Sequence, residues 1–351
     1  MFLKIRNKIE FELKYFLRNI DKTYRLKRIS PILFKSINEF AQRSGKRIRP
    51  TLFVIGYLGY SKKTAPNLYR SAVSLELLHD FMLVHDDIID KSDTRRSKPS
   101  MHVALNKYLK NRHDIKFNGQ DLAIIAGDVI YAMALHAFLS VRENPKNKEA
   151  SFKKLIEAAL YTGTGEFIEL ILSLKNIDSI TKNDIYKVYD LKTANYTFST
   201  PLVMGATLAG AAKNEIKKLY NYGIHLGRAF QIQDDILGSF GEESITGKSN
   251  TTDLQEAKKT ILIWYTYNHS GPKDKKLIKN MLEEKMIKKN DLAKMRQMIR
   301  ASGALAYAKN EINGLLEKAE KINRNLSMKT SYQISLDSFS KKMLSLKQYT
   351  Y

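Results

Sequence analysis

Hydrophobic residues recur through most of this chain at intervals of three and four positions, the spacing that gathers them on one face of an α-helix. The period is helical in seven windows, and in none of them is it the period of two expected for a strand. The windows are 65–90, 121–140, 150–174, 181–211, 214–238, 253–268 and 302–322. We therefore predict an all-α protein built as a large helical bundle.

Prolines and turn residues agree with this prediction. Proline is tolerated in the first turn of a helix but disrupts a helix interior. Five of the seven prolines mark predicted element starts or loops, namely Pro31, Pro50, Pro66, Pro99 and Pro145. Asn118-Gly119 is typical of a hairpin turn, but no alternating strand flanks it. Because there is no internal repeat or low-complexity linker, we predict a single domain over residues 1–351.

Composition excludes several kinds of site and location. Of the 351 residues 43% are hydrophobic, which is enough for a buried core, and there is no cysteine. Disulfides and thiolate metal sites are therefore excluded, as suits a reducing cytosol. We see no signal peptide, and the most apolar window, 122–139, contains Asp128 and His136, which argues against a membrane span. We expect a cytoplasmic protein.

The formal net charge of +23 suggests an anionic partner. Lysines and arginines concentrate at residues 4–28 and 273–289. No nucleic-acid-binding motif accompanies them, so we do not expect DNA or RNA as a partner. The charge fits attraction to polyanionic diphosphates and a loose association with an anionic membrane surface. A lysine-rich composition without functional meaning is the alternative.

The segment 84–96, VHDDIIDKSDTRR, combines aspartates with an arginine pair. Asp86 and Asp90 are four residues apart, so a helix places them one turn apart on the same face. Carboxylate oxygens suit Mg²⁺, which fills its other positions with water and phosphate oxygens. Arg95 and Arg96 carry planar guanidinium groups that bind phosphate oxygens in pairs. The segment therefore predicts a metal-bridged diphosphate site.

A second acidic segment lies downstream, at residues 227–248. Asp234 and Asp235 stand at the polar end of an apolar stretch, and Lys248 follows them. Adjacent carboxylates repel each other and resist loss of solvent, and a bound metal relieves both costs. We expect the two acidic helix ends to face each other across a cleft and to hold divalent ions around one diphosphate.

With both segments in place, the chain resembles the trans-type isoprenyl diphosphate synthases of the polyprenyl synthetase family, and among them the archaeal-type geranylgeranyl diphosphate synthases. The resemblance runs from about residue 30 to about residue 325. It rests on ordered motifs: Gly45-Lys46-Arg47-Ile48-Arg49-Pro50, Glu76-Leu77-Leu78-His79, Asp86-Asp87-Ile88-Ile89-Asp90, Thr94-Arg95-Arg96, Gly127-Asp128, Lys192-Thr193, Phe230-Gln231-Ile232-Gln233-Asp234-Asp235, Gly247-Lys248 and Lys258-Lys259-Thr260.

The resemblance implies the isoprenoid synthase fold, with helices around a deep central cavity, and a homodimer. It implies a prenyltransferase that condenses isopentenyl diphosphate with an allylic diphosphate, using Mg²⁺ with up to three ions per site. The implied catalytic residues are Asp86, Asp90, Arg95, Lys192 and Asp234. The implied metal ligands are Asp86, Asp90 and Asp234, with Asp87 and Asp235 as weaker candidates.

The same resemblance assigns the two substrates to different residues. Isopentenyl diphosphate is assigned to Lys46, Arg49, His79 and Arg96. The allylic diphosphate is assigned to Arg95, Lys192, Thr193, Gln231, Lys248 and Lys258. His79 also lies seven residues before Asp86, two helical turns back on the same face. Lys192 and Thr193 are expected to end a helical stretch.

Four positions depart from familiar patterns. Ser44 stands where many members of the family have a second glycine, Gly238 where many have an aspartate that closes the second acidic motif, and Glu169 where aspartate is usual. Gly238 leaves open a weaker metal affinity on that side. Gly247-Lys248-Ser249 is similar to a phosphate-binding P-loop, but Glu242 occupies a position that needs glycine, so we reject that motif.

Product length is the least constrained inference. Phe81 lies five residues before Asp86, roughly 7–8 Å deeper along a helix, and Met82 lies four before it. The resemblance implies that an aromatic residue at this depth forms the floor of the prenyl channel and gives a C20 product, geranylgeranyl diphosphate. A farnesyl or a longer product is the alternative, and Phe81 as a plain core residue is another.

Two other classes of protein share parts of the pattern. A class I terpene cyclase also uses an aspartate-rich helix and Mg²⁺, but it does not need Lys46, Arg49, His79 and Arg96 for a second diphosphate. A non-catalytic partner subunit would be expected to lack part of the metal or arginine sets. Both sets are present here apart from Gly238, so the synthase is favoured.

Overall fold

The computed structural model describes residues 1–110, 114–240, 258–283 and 289–344, without the side chain of Lys289. These residues form an all-α protein, which confirms the predicted fold class. The β structure described is one antiparallel pair of two-residue strands, β1 (Thr94–Arg95) and β2 (Lys98–Pro99), in which Thr94 pairs with Pro99.

The chain divides into two compact units. Unit 1 comprises Met1–Leu155 and Pro201–Ala211, and unit 2 comprises Ile156–Thr200 and Ala212–Tyr351. The helices are α1 (Phe2–Tyr24), α2 (Leu26–Ile29), α3 (Pro31–Ala41), α4 (Ile48–Tyr60), α5 (Leu68–Ile89), α6 (Met101–Leu109), α7 (Gly119–Leu139), α8 (Pro145–Ser173), α9 (Lys182–Val188), α10 (Thr200–Leu208), α11 (Lys213–Phe240), α12 (Ile261–Asn268), α13 (Pro272–Glu283), α14 (Lys289–Ala301), α15 (Ala304–Arg324) and α16 (Thr330–Met343). A 3₁₀ turn (Ile177–Ser179) precedes α9, and a π-helical segment (Tyr189–Ser199) follows it. The prediction of one domain over 1–351 stays a prediction.

Unit 1 is centred on α5, which packs along α7. Helices α1 and α4 lie against α5, and α6 lies against α7. Glycines let α4 and α10 come into backbone contact, because a Cβ at Gly205 would lie 2.1 Å from the carbonyl oxygen of Phe53. The helix α5 therefore has a rigid support on several sides, and its last turn carries the first acidic motif.

Helix α7 is long and apolar enough to cross a membrane, with a mean hydropathy of 1.9. It nevertheless packs within unit 1 against α5 and α6, and a core helix has the same composition. Asn118 caps its first turn and forms a capping box with Asp121. The Asn118-Gly119 pair therefore begins a helix rather than a hairpin, because the side chain of Asn118 satisfies amide groups of the first turn.

Unit 2 is centred on α11, which packs against the π-helical segment and α15. Close approach again depends on glycine, since a Cβ at Gly227 would lie 2.2 Å from the Cα of Ala194. The expectation that Lys192 and Thr193 end a helical stretch was wrong. Both lie inside the π-helical segment, and the chain continues directly into α10. A π-helical turn is rare and is often found at functional sites.

Most predicted windows coincide with helices. The windows starting at 65, 121, 150, 214 and 302 correspond to α5, α7, α8, α11 and α15. The window 253–268 is described only from residue 258 onward, and there α12 begins at Ile261. Helices α1, α2, α3, α4, α6, α13, α14 and α16 were not among these windows. All of them except α1 are short, and a short amphipathic segment produces a weaker periodic signal.

Candidate active site

The last turn of α5 brings Asp86 and Asp90 together. Asp90 is the C-cap residue, and a carboxylate oxygen of Asp86 lies within 4.8 Å of one of Asp90. Both side chains are half-buried. Two hard oxygen donors at this spacing fit a Mg²⁺ ion that keeps positions for water and phosphate oxygens. The geometry within unit 1 therefore agrees with the metal role inferred from the sequence.

Asp87 points elsewhere and contacts Arg95. It is fully buried and accepts a hydrogen bond of 2.7 Å from Nε of Arg95 and a short one from Nη2. Burial by itself would lower the pKa of Arg95, but the hydrogen bond and charge of Asp87, with the charges of Asp86 and Asp90, raise it. Arg95 is thus held charged, with Nη2 3.5 Å from Oδ2 of Asp86. This geometry favours Asp87 as a positioning residue.

The next arginine, Arg96, reaches a different carboxylate. Its Nη2 lies 3.4 Å from Oε1 of Glu76, and its Nη1 donates to the carbonyl oxygen of Arg43 at 3.2 Å. Its backbone has a φ of 55°, in the left-handed region that costs energy for a side chain other than glycine. Consecutive arginines thereby contact different carboxylates. The family resemblance implied different substrates for Arg95 and Arg96, but it did not show these partners.

Arg47 lies at the base of the same region and is ion-paired on both sides. It is fully buried, donates to Glu10 at 2.8 Å and forms a short hydrogen bond with Glu76. Its Nη2 also donates to the carbonyl oxygens of Ala41 and Arg43. These contacts occupy Arg47 inside unit 1, whereas Lys46 is exposed and Arg49 is half-buried. The three cations of one motif therefore differ in burial, with Arg47 as a structural residue.

His79 lies among these arginines. Burial lowers its pKa well below the usual value, and the charges of Arg49, Arg96 and Arg95 lower it further. The imidazole is therefore neutral near pH 7, with one nitrogen that donates and one that accepts a hydrogen bond. A neutral donor in a cationic surrounding suits an anionic ligand, as the sequence predicted for His79.

Asp80 was missed by the sequence analysis. Its side chain is fully buried, and neither of its oxygens has a hydrogen bond among the described residues. The nearest cation is Arg96, whose Nη2 lies 3.8 Å away. Burial and the neighbouring charge of Glu76 raise the pKa of Asp80 well above its usual value. The available signal was the spacing: Glu76 and Asp80 are four residues apart on a face of α5 that also carries buried apolar residues.

Phe81, the proposed chain-length residue, directly follows Asp80 on α5. Its ring packs edge-on against His85, with 4.7 Å between the ring centroids, and against Tyr131 of α7 at 5.0 Å. Phe81, Met82 and Tyr131 are all half-buried. Tyr131 is a second residue that sequence reasoning missed, because only packing brings α7 beside this turn.

In unit 2, Lys192 is held by two carboxylates. Its Nζ lies 2.6 Å from an oxygen of Glu166 and 2.6 Å from an oxygen of Glu169, which are three residues apart on α8. The two segments approach closely because residue 165 is glycine: a Cβ there would lie 2.6 Å from the backbone nitrogen of Lys192. Glu169, noted in the sequence only as a departure, is thus a direct partner of the predicted catalytic lysine.

A chain of hydrogen bonds connects the π-helical segment with α11. Thr193 donates to Oε1 of Gln231 at 2.7 Å, and Nε2 of Gln231 donates to Asp235 at 3.0 Å. Asp235 is buried and also accepts a short hydrogen bond from Tyr189. Asp235 is therefore occupied inside unit 2. Asp234 is half-buried beside it.

The remaining predicted residues of unit 2 are less defined. Gly238, one turn after Asp234, supplies no carboxylate. Lys258 is half-buried just before α12, and its neighbour Lys259 donates to the carbonyl oxygens of Leu172 and Ser173 at the end of α8. Lys248 lies outside the described residues.

The structure thus groups the predicted residues by unit. Unit 1 brings Asp86, Asp90 and Arg95 together, with Arg49, His79 and Arg96 in the neighbouring cationic region. Unit 2 brings Lys192, Thr193, Gln231 and Asp234 to the π-helical segment and the adjoining part of α11. That the two acidic motifs face each other stays a prediction.

Comparisons with known proteins agree on one family. The family model described as polyprenyl synthetase matches residues 30–299. The geranylgeranyl diphosphate synthase of Saccharolobus solfataricus is 32% identical over 88% of this chain and 85% of its own length. The geranylfarnesyl diphosphate synthase of Aeropyrum pernix is 32% identical over 86% and 88%. A solved structure of geranylgeranyl pyrophosphate synthase from Corynebacterium glutamicum, complexed with isoprenyl diphosphate and magnesium, superposes with a TM-score of 0.89 at 26% identity, covering 97% and 98% of the two chains.

Proposed function

Because the chain belongs to the polyprenyl synthetase family and is a prenyltransferase, we propose that it condenses isopentenyl diphosphate with an allylic diphosphate to make geranylgeranyl diphosphate. The observation that carries the proposal is the cationic region beside the aspartate pair of α5. Arg49, Arg96 and the neutral His79 provide a place for a second diphosphate, which a terpene cyclase does not need. The relatives support the product class, since three of the similar archaeal proteins are geranylgeranyl diphosphate synthases, although the one from Aeropyrum pernix is a geranylfarnesyl diphosphate synthase, the next longer class.

The residues proposed to hold Mg²⁺ are Asp86 and Asp90 in unit 1 and Asp234 in unit 2, with up to three ions per site. Bound Mg²⁺ would neutralise the charge that builds up on the departing diphosphate. The oxygens of Asp86 and Asp90 lie within 4.8 Å of each other, and the hard character of these donors fits that ion. Because Gly238 supplies no carboxylate, we expect a lower affinity for metal on the side of Asp234.

The allylic diphosphate is assigned to Arg95, Lys192 and Lys258, with Lys248 as a further candidate. Arg95 and Lys192 are held in place by carboxylates before any substrate arrives, so little reorganisation is needed when the C–O bond breaks. Thr193 and Gln231 place dipoles near the allylic cation that forms. Arg95 and Lys192 would thus stabilise the leaving group from positions that their carboxylate partners already hold.

Isopentenyl diphosphate is assigned to Lys46, Arg49, His79 and Arg96. These residues would orient the double bond of isopentenyl diphosphate towards C1 of the allylic cation. The condensation then ends with loss of a proton, and we assign the released diphosphate as its acceptor. Exclusion of water is essential, because water would quench the cation.

Turnover of the purified protein tests the proposal. We would incubate it with labelled isopentenyl diphosphate, farnesyl diphosphate and Mg²⁺, and measure the mass of the product. Incorporation of label into a C20 diphosphate, abolished by a chelator, is expected. A hydrocarbon without label would indicate a cyclase, the absence of any turnover a non-catalytic subunit, and another product mass a farnesyl or longer-chain synthase.

We also propose a homodimer in the cytoplasm. Helix α7 exposes Ile124, Ile125 and Leu139, at 40%, 56% and 52% of their surface. Exposed apolar residues clustered on one helix are typical of an interaction surface. A loose association with an anionic membrane surface is the third proposed partner, supported so far by the net charge of +23.

A further inference from the structure

Helix α1 carries both acidic and basic residues. Its acidic residues are held by partners of unit 1: Glu10 accepts from Arg47 at 2.8 Å, and Glu12 accepts from Arg70 at 3.1 Å. Asp21 accepts from the backbone nitrogen of Lys27 at 2.7 Å. Glu10 and Glu12 are thus paired with cations, whereas Asp21 keeps its negative charge, because a backbone N–H does not neutralise it.

The outer surface of α1 is basic and apolar. We call it the basic face and define it by Leu3, Lys4, Phe11, Lys14, Arg18 and Lys22, all of which are exposed. At 3.6 residues per turn they fall on one side of the helix, opposite the buried Ile5, Ile9, Leu13, Phe16 and Ile20. Leu3 and Phe11 keep 65% and 68% of their surface exposed.

The surface continues into α2. Arg25, Lys27 and Arg28 are exposed there, and Ile29 keeps 74% of its surface exposed. Large apolar side chains interleaved with lysine and arginine are typical of helices that lie in the interface of a bilayer. The lysine and arginine side chains can extend towards lipid headgroups while their methylene stems cover apolar surface.

We infer that the basic face of α1, extended by α2, docks on an anionic lipid bilayer. Charge complementarity selects this occupant. A second copy of the chain would bring like charges together across a two-fold axis, which is repulsive. Nucleic acid would satisfy the cations but would leave Leu3, Phe11 and Ile29 in water. A bilayer satisfies both, because its headgroups are anionic and its acyl boundary accepts apolar side chains.

This inference rests on the proposed association with an anionic membrane surface and deepens it by naming the residues that make the contact, and lipid binding does not itself require prenyl transfer. None of the residues that define the face is assigned to either diphosphate or to metal. The benefit would follow if the product carries a long hydrocarbon tail, because an enzyme resting on a bilayer can release such a product directly into it.

Vesicle co-sedimentation tests the inference. The full-length protein is mixed with vesicles of phosphatidylglycerol and phosphatidylcholine, or of phosphatidylcholine alone, at low and at physiological salt. We expect binding to the anionic vesicles, weaker binding as salt rises, and none to the neutral ones. Equal binding to both kinds of vesicle, or no binding to either, would overturn the inference.

Two charge-matched variants locate the surface. The face variant carries Lys4→Glu, Lys14→Glu, Arg18→Glu and Lys22→Glu, and the control carries Lys107→Glu, Lys110→Glu, Lys213→Glu and Lys217→Glu, which are exposed elsewhere. Each basic residue near such a surface contributes about 1 kcal/mol. Because four such contributions are lost and every 1.4 kcal/mol is tenfold, the face variant should partition on the order of 1,000-fold more weakly. The control should stay within a few-fold of the unaltered protein. An equal loss in both would reduce the effect to net charge and defeat the inference.

Two further readouts keep the outcomes distinct. Binding to a single-stranded RNA that exceeds vesicle binding at the same salt, and is lost in the face variant, would make nucleic acid the occupant and overturn the lipid assignment. Prenyl transfer in detergent-free solution should be the same in both variants as in the unaltered protein. Vesicle binding by a protein without prenyl transfer would remove the proposed function and leave the docking surface.

Discussion

At the scale of single residues, neighbours in one motif have different tasks. Lys46 and Arg47 are adjacent in sequence, yet Lys46 is exposed and Arg47 is fully buried between Glu10 and Glu76. The motif Gly45-Lys46-Arg47-Ile48-Arg49 therefore combines a structural residue, Arg47, with the proposed ligands of isopentenyl diphosphate, Lys46 and Arg49. We therefore expect substitution of Arg47 to change stability and substitution of Lys46 to change substrate binding.

Arg47→Ala should destabilise the fold. It removes the cation paired with Glu10 and one of the two guanidinium groups beside Glu76, and removing one member of a buried ion pair costs about 3–5 kcal/mol. We expect the free energy of unfolding in urea to fall by that amount. Lys46→Ala should leave the free energy of unfolding within about 0.5 kcal/mol and raise KM for isopentenyl diphosphate. Equal loss of stability in the two variants would contradict the division.

The carboxylates around Lys192 make a second prediction at this scale. Glu169→Gln removes one of the two charged hydrogen bonds that hold the ammonium group, each worth about 1.5–3 kcal/mol. We expect KM for the allylic diphosphate to rise about tenfold, with KM for isopentenyl diphosphate unchanged. Glu169→Asp should recover part of the loss.

The matched control lies on the same helix. Glu149 pairs with Lys153 at 2.6 Å on α8, but both side chains are mostly exposed. Glu149→Gln should leave both KM values unchanged, because an exposed ion pair contributes little. If Glu169→Gln behaves like Glu149→Gln, then Glu169 does not position Lys192.

At the scale of elements, close contacts between helices place the site residues. The approach of α8 to the π-helical segment depends on Gly165. Helix α8 carries a second glycine, Gly163, at which a Cβ would have no neighbouring atom within 4 Å. The two glycines differ in surroundings alone, which makes them a natural comparison.

Gly165→Ala should lower both stability and activity. The new methyl group would lie 2.6 Å from the nitrogen of Lys192, so α8 must move, at about 1–3 kcal/mol, and Lys192 is displaced. Gly163→Ala should instead stabilise the protein by up to about 1 kcal/mol, since alanine favours a helix. Thermal unfolding and kcat measure both. A stable and fully active Gly165→Ala variant would refute the close-contact argument.

The packing of α5 on α7 leads to a prediction on product length. Phe81 and Tyr131 bring two rings together at 5.0 Å, one from each helix. If they close the prenyl channel, Phe81→Ala should lengthen the product by one or more isoprene units. Product mass after exhaustive elongation measures this, and Phe117→Ala, in the loop before α7, is the control. An unchanged product mass would leave Phe81 as a core residue.

At the scale of the whole molecule, the apolar residues that α7 exposes lead to a prediction on the oligomeric state. We expect the protein to be a dimer in sedimentation equilibrium. Ile124→Asp with Ile125→Asp should shift it to a monomer, because two charges would have to be buried in the interface. Ile334→Asp, on the exposed side of α16, should leave the mass unchanged. A monomeric unaltered protein would exclude this interface.

Sequence by itself determined the fold class and the chemistry of the chain. Helical periodicity is a property of neighbouring residues, so it predicted the helices α5, α7, α8, α11 and α15. The spacing of Asp86 and Asp90 placed both carboxylates on one helical face, and the structure bears this out. Hydrophobic periodicity did not predict most short helices or the π-helical segment, since their periodic signal is weak or their conformation depends on packing.

Tertiary structure decided which groups meet. The family resemblance separated Asp86 from Asp87 and Arg49 from Arg47, but the physical difference lies in burial and partners, which only the structure shows. The burial of Asp80, the contact of Tyr131 with Phe81 and the pairing of Glu169 with Lys192 became visible only when the helices packed side by side. The sequence sets periodicity and charge through neighbouring residues, whereas desolvation and pairing depend on the whole fold.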